Sequence, residues 1–92
     1  MPLSESEIAA ALVSLPGWKL SGKAIERTFK FPDFIAALAF VNRIADAAEK
    51  ANHHPDIAIH YNQVTLSLWS HDSGGVTKRD LKMAATINEL QP

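Results

Sequence analysis

Apolar positions along this chain change from a helical period to a period of two and back again, and those changes divide it into elements. Ile8, Ala11, Leu12 and Leu15 recur at helical spacing behind Ser4 and Glu7, a capping-box pair, and Pro16-Gly17 stops the run. Trp18 to Leu20 and Ala24 to Phe31 then flank a turn at Ser21-Gly22, with Ile25, Phe29 and Phe31 alternating against Glu26, Thr28 and Lys30. A hairpin of two short strands is predicted.

Pro32-Asp33 opens a long segment in which Phe34, Ala37, Leu38, Val41, Ile44, Ala45 and Ala48 share one helical stripe, with Asn42, Arg43, Asp46 and Lys50 off it. This central helix ends near Ala51-Asn52. Beyond His53-His54-Pro55 the period is two again, with Ile57, Ile59 and Tyr61 on one side of Asn62-Gln63. On the other side Val64, Leu66 and Leu68 alternate with Thr65, Ser67 and Trp69. A second hairpin turning at Asn62-Gln63 is predicted. After the loop Asp72-Ser73-Gly74-Gly75, Thr77-Lys78-Arg79-Asp80 starts a last helix, with Leu81, Ala84, Ala85 and Asn88 on one side and Met83, Ile87 and Leu90 on another.

The order α-β-β-α-β-β-α predicts an α+β fold: a four-stranded antiparallel sheet with helices packed on one face, forming one domain over residues 1–92. The second stripe of the last helix, with Phe40 and Ala47 off the main stripe of the central one, exceeds the apolar surface a chain this small needs. Self-association is expected.

Composition narrows the chemistry. The 92 residues contain no cysteine, nine Lys or Arg against ten Asp or Glu, and a net charge of −1. Lack of cysteine removes disulfides, thiolate metal sites and cysteine nucleophiles. Balanced charge removes the basic footprint of direct nucleic-acid binding. No leader-like start or membrane-length apolar run is visible, so a cytoplasmic protein with no membrane partner is expected. A chain of this length buries roughly 60 to 65 % of its unfolded surface, which places a ligand site at an edge or between subunits.

All four histidines, His53, His54, His60 and His71, lie within 19 consecutive residues. One isolated histidine is ordinarily a half-exposed structural residue. A metal set is disfavoured: there is no pair at i, i+4 on a helix, and adjacent His53 and His54 point to opposite sides of an extended segment, which Pro55 enforces at His54. Acid–base chemistry suits the positions better. Pairing across the second turn sets residues near 54 to 56 opposite residues near 69 to 71, so His53 or His54 can meet His71. His60, near the turn, falls at the other end of the hairpin.

Glu49 lies one helical turn before His53, a spacing that lets its carboxylate hold the tautomer of that imidazole. Asp80 stands third after Thr77 and is explained by a capping box alone. Trp18 and Trp69 can line a flat heterocycle or serve a small core.

Glu49, three residues, His53-His54-Pro55, five residues, Tyr61, nine residues, His71, eight residues and Asp80 together resemble the signature of the pterin-4a-carbinolamine dehydratases at all seven positions. The likeness extends through Pro16-Gly17-Trp18, Phe31, Asp33-Phe34, Tyr61-Asn62, Val64 and His71 to Thr77. It implies an α+β fold and dehydration of 4a-hydroxytetrahydropterin to quinonoid dihydropterin, in recycling of the cofactor of aromatic amino acid hydroxylases. It implies no metal and no organic cofactor, the pterin being substrate, a hydroxylase as functional partner, and a homodimer or homotetramer. His53, His54 and His71 are then the catalytic set, Glu49 and Asp80 its supports, and Pro55, Trp18 and Trp69 the substrate contacts. Ile57 stands where animal-type members carry an aromatic residue. Animal members also act as dimerisation coactivators for a homeodomain transcription factor, a role that no residue here carries over.

The chemistry fits imidazoles. Hydroxide leaves a carbinolamine carbon when a proton reaches the oxygen, while the adjacent nitrogen forms C=N and loses its own proton. One imidazolium and one neutral imidazole suffice, each worth ~10² to 10⁴ in rate. His54 and His71 are the expected proton carriers, with His53 positioning the substrate and Glu49 orienting a histidine. The competing reading is a pterin-binding or dimerisation module without turnover, acting as a regulatory coactivator.

Overall fold

The computed structural model describes residues 2–91. Its elements are α1 (Glu5–Leu12), β1 (Lys19–Ser21), β2 (Ala24–Lys30), α2 (Phe34–Ala51), β3 (Asp56–His60), β4 (Gln63–Leu68) and α3 (Lys78–Leu90). The strands form one antiparallel sheet in the order β1-β2-β4-β3, so the two hairpins meet along β2 and β4. This is the expected α+β architecture and element order. No helix among the described residues is long and apolar enough to cross a membrane.

Alternation along the central strands separates the two faces of the sheet. Ile25 and Phe29 on β2 and Val64, Leu66 and Leu68 on β4 are buried under the helices. Their neighbours form the opposite face, where Thr28 and Thr65 are hydrogen-bonded at 2.9 Å and Ser67 donates to Glu26. Capping sets the helix starts. Ser4 and Glu7 bond reciprocally at the head of α1, and Asp33 accepts from the Ala36 N–H at the head of α2. Asn52 closes α2 in the left-handed conformation (φ 51°), and the His53 N–H donates back to the Ala48 carbonyl. This is the arrangement that terminates helices with Asn or Gly.

Four sequence expectations change. The first turn is Gly22-Lys23 rather than Ser21-Gly22, because Ser21 stays in the ladder opposite Ala24. The second turn is Tyr61-Asn62, one residue earlier than Asn62-Gln63, because Gln63 stays in the ladder opposite both His60 and Lys30. Asn62 is pinned to Phe31 through its carbonyl, which accepts from the Phe31 N–H, and its amide, which donates to the Phe31 carbonyl. The buried stripe of α2 is Ala37, Phe40, Ile44 and Ala48, rotated from the expected one. Phe40 packs its ring 4.8 Å from Phe29 and 5.1 Å from Phe31, while Phe34 is exposed. Met83 and Ile87 are likewise buried within the chain, so with Phe40 most of the residues from which self-association was expected are consumed by the core, while Leu90 and Ala47 stay partly exposed. Exposed apolar side chains lie elsewhere, including Ile57, Ile59 and Tyr61 on and beside the edge strand β3.

Trp18 also belongs to the core. Its ring meets Phe29 edge-on and its Nε1 donates to Asn88 Oδ1 at 2.8 Å, tying α3 to the head of β1. Arg27 completes that node: its guanidinium donates to Asn88 Oδ1, the Pro16 carbonyl and Gln91 Oε1 and lies over the Phe29 ring. Desolvation pushes its pKa down. Gly17, at φ +86°, abuts this guanidinium, and an added Cβ would come within 2.4 Å of it. Replacing Phe40 with Ala should cost about 3–5 kcal/mol in urea unfolding, against under about 1 kcal/mol for Phe34→Ala. The ordering of those two losses distinguishes the observed stripe from the expected one.

Candidate active site

The residues that converge come from three segments: the end of α2, the end of β4 with its following loop, and the first turn of α3. They surround a cleft of about 260 Å³ lined by Asn52, His53, His54, Trp69, Ser70, His71, Asp72 and Arg79. Continuing the β3–β4 register two or three residues past Asp56 opposite Ser67 sets His54 against Trp69 and His53 against Ser70. All three predicted histidines therefore reach one end of the sheet, and exposed His60 lies at the other, opposite Gln63.

Asp80 anchors the site. Its carboxylate is fully buried, yet every side-chain polar atom buried among the described residues has a partner. Oδ1 meets His53 Nε2 at 2.5 Å, and Oδ2 accepts from the Ser70 hydroxyl at 2.9 Å and from the Thr77 backbone N–H at 2.8 Å. Oδ2 already serves two donors, so Oδ1 is the oxygen left for the imidazole, and a carboxylate oxygen there accepts when His53 Nε2 carries the proton. The Thr77 bond is the backward half of the expected capping box, so the same carboxylate caps α3 and holds an imidazole.

Glu49 takes a different histidine from the one its spacing suggested. Its Oε2 meets His54 Nε2 at 2.5 Å. The helical i, i+4 geometry does not extend past left-handed Asn52, where the chain turns. His53 is then directed toward α3 and His54 back toward Glu49. The two pairs differ physically: His53 is 12 % exposed beside a buried acid, whereas His54 and Glu49 are 55 % and 77 % exposed. Exposed pairs hold their geometry weakly.

His71 stacks on Trp69 with ring centroids 3.9 Å apart and an interplanar angle of 27°. Trp69 thus lines the cleft as expected, while Trp18, in the core, does not. Pro55 is half-buried at the head of β3 and is not among the cleft-lining residues. Three participants escaped the sequence reading. Ser70 was signalled by the alternation, being in phase with buried Val64, Leu66 and Leu68, where a hydroxyl requires a partner. Asp72 and Arg79 pair at 2.5 Å across the cleft rim, and no spacing rule connects a loop residue to a helix residue in this way. The Arg79 guanidinium holds the Asp72 carboxyl below the ordinary aspartate range. Among the described residues, no group of three or more His, Asp or Glu converges as a metal-ligand set.

These features define a class: a small α+β protein with a shallow, imidazole-lined cleft at one end of its sheet. The family model for pterin 4 alpha carbinolamine dehydratase matches residues 1–90, and the chain belongs to that family. It is 59 % identical over 90 residues to a protein of Koribacter versatilis that carries the provisional name pterin-4-alpha-carbinolamine dehydratase, covering 98 % of this chain and 96 % of that one. It is 50 % identical over 88 residues to a protein of the same provisional name from Thermosynechococcus vestitus, covering 96 % and 93 %. A crystal structure of a transcriptional coactivator/pterin dehydratase from Brucella Melitensis superposes with a TM-score of 0.94 at 42 % identity, covering both chains fully. A pterin dehydratase-like protein described as a RuBisCO assembly factor in the alpha-carboxysome shares the fold, with a TM-score of 0.70 at 22 % identity over 80 % of this chain and 88 % of that one.

Two measurements probe the site directly. Asp80→Ala strips the His53 ring and the Thr77 N–H of their shared acceptor, leaves the Ser70 hydroxyl only its contact with Thr77 Oγ1, and should lower unfolding free energy by about 3 kcal/mol, read from the urea midpoint. For Asp72, whose folded pKa is depressed, the pair contributes above the ordinary value and is lost as pH falls through the lowered one. Its carboxyl carbon should titrate below 3.8 by NMR and move back toward 3.8 in Arg79→Gln.

Proposed function

We propose that this protein is a hydro-lyase that dehydrates 4a-hydroxytetrahydropterin to quinonoid dihydropterin, in recycling of a tetrahydropterin used by an aromatic amino acid hydroxylase. The observation that carries the reading is the convergence of three imidazoles on one cleft, two of them tied through Nε2 to carboxylates. Family membership supplies the substrate class.

In this reading the flat bicyclic substrate lies in the cleft beside the Trp69–His71 stack. Protonation of the C4a hydroxyl lets the C–O bond break and water leave, the N5 lone pair becomes the second bond of C=N, and the N5 proton is taken by a second imidazole. His54 and His71 carry the two transfers, since both rings are exposed to the cleft. His53, locked by buried Asp80, is the fixed surface that positions the substrate. Glu49 orients His54 through its exposed bond.

Assembly as a homodimer or homotetramer is part of the same proposal. Strand β3 is one of the two sheet edges, pairs among the described residues only with β4, and exposes Ile57 and Ile59 on the side that the core strands bury. An open apolar edge invites a second strand. Equilibrium sedimentation at micromolar concentration should give a dimer or larger, and Ile57→Lys should shift it toward monomer; a wild-type monomer removes the assembly.

The activity test follows ultraviolet absorbance as enzymatically generated 4a-hydroxypterin converts. Catalytic amounts of protein should accelerate the change, and His71→Ala should lower kcat by about 10² or more. Saturable pterin binding without acceleration would instead identify a binding module, and near wild-type turnover in His71→Ala would remove the role given to that residue.

A further inference from the structure

A second concavity of about 230 Å³ lies between the end of α2 and the first half of α3, more enclosed than the histidine cleft. Ala47, Ala51 and Met83 supply its apolar wall, while Lys82 and Arg79 supply cations. No acidic residue lines it. Lys82 makes no ion pair among the described residues, and Arg79 has only the exposed Asp72. His53 lies on the boundary, since both it and Arg79 line the cleft as well. Nothing in the proton-transfer scheme uses this space.

We propose that this cavity binds a small amphipathic carboxylate, its apolar body against Ala47, Ala51 and Met83 and its anionic head toward Lys82 and Arg79. Size and charge select that class. The cavity lies below the ~300 to 1,000 Å³ of drug-sized sites, which limits the occupant to a small molecule. Two cations, one already shared with Asp72, match a single negative charge better than a multiply charged phosphate. The apolar wall rewards a short aliphatic or aryl body over a bare inorganic anion. Occupancy is communicated to the cleft through shared groups: the bound anion competes with Asp72 for Arg79 and packs beside His53. The site thus offers a route by which a small acid modulates the histidine cleft.

Hexanoate is a suitable probe, with hexanol as its uncharged counterpart, each titrated into the full-length protein by calorimetry and by NMR of the histidine rings. Hexanoate should bind saturably, shift the His53 ring resonances, and bind at least about tenfold tighter than hexanol. Lys82→Glu, which reverses the head-group charge, and Ala47→Leu, which fills the apolar end, should each weaken hexanoate by at least about tenfold. Equal affinity for hexanoate and hexanol overturns the proposal without any variant. Unchanged hexanoate binding in both variants, or shifts that leave His53 unmoved, also overturns it. None of these readouts requires pterin turnover, so failure here is separable from failure of the dehydratase reading.

Discussion

One buried carboxylate organises this molecule. A carboxylate without partners costs several kcal/mol to remove from water, so Asp80 is tolerable at zero exposure only where donors surround it. Its partners come from just beyond the end of α2, the second residue after β4 and the N-cap of α3. His53 is 27 residues from Asp80 while Ser70 and Thr77 are near it in the chain, and satisfying one charge brings all three to the same point. The cleft lies where they meet because His53, Ser70 and Thr77 cannot serve Asp80 without placing their neighbours around it.

The same comparison grades the histidines. His53 is held by an acid that has no water to retreat to, whereas the exposed bond between His54 and Glu49 competes with solvent at both ends. His71 is placed by stacking on Trp69, a contact that allows the ring to slide. One firmly held and two more exposed imidazoles suit the proposed division between a positioning residue and two proton carriers, since a proton carrier must adjust as its hydrogen-bond role inverts.

The remainder of the fold supplies a platform. The Trp18–Asn88–Arg27 node fastens the other end of α3 to β1 and β2, and the phenylalanine cluster fills the space beneath α2. With helices over one face of only four strands, the molecule has little depth at the end of the sheet. Its cleft is accordingly shallow, and β3 remains an uncovered edge.

Element types and their order were legible because period and punctuation are local properties: alternation, caps, Pro16-Gly17 and Asn52 act within a few residues. Reversal at the second turn also placed three histidines at one end of the sheet, and a one-residue shift in that turn did not move them away. Asp80 was legible as a cap, and the resemblance assigned it to the site; in the tertiary structure one carboxylate both caps α3 and holds the His53 ring.

Other features depended on what approaches from elsewhere in the chain. Which arc of α2 is buried follows from the sheet beneath it, so Phe40 rather than Phe34 entered the core. Trp18 was drawn to Asn88, seventy residues away, and Glu49 met His54 only because Asn52 redirected the chain. The sequence by itself determined the elements, the reversal and the stock of imidazoles and carboxylates, since these depend on backbone preference and spacing. Which carboxylate holds which imidazole was decided by tertiary structure alone, because that pairing depends on which donors can reach an acid once water has been excluded.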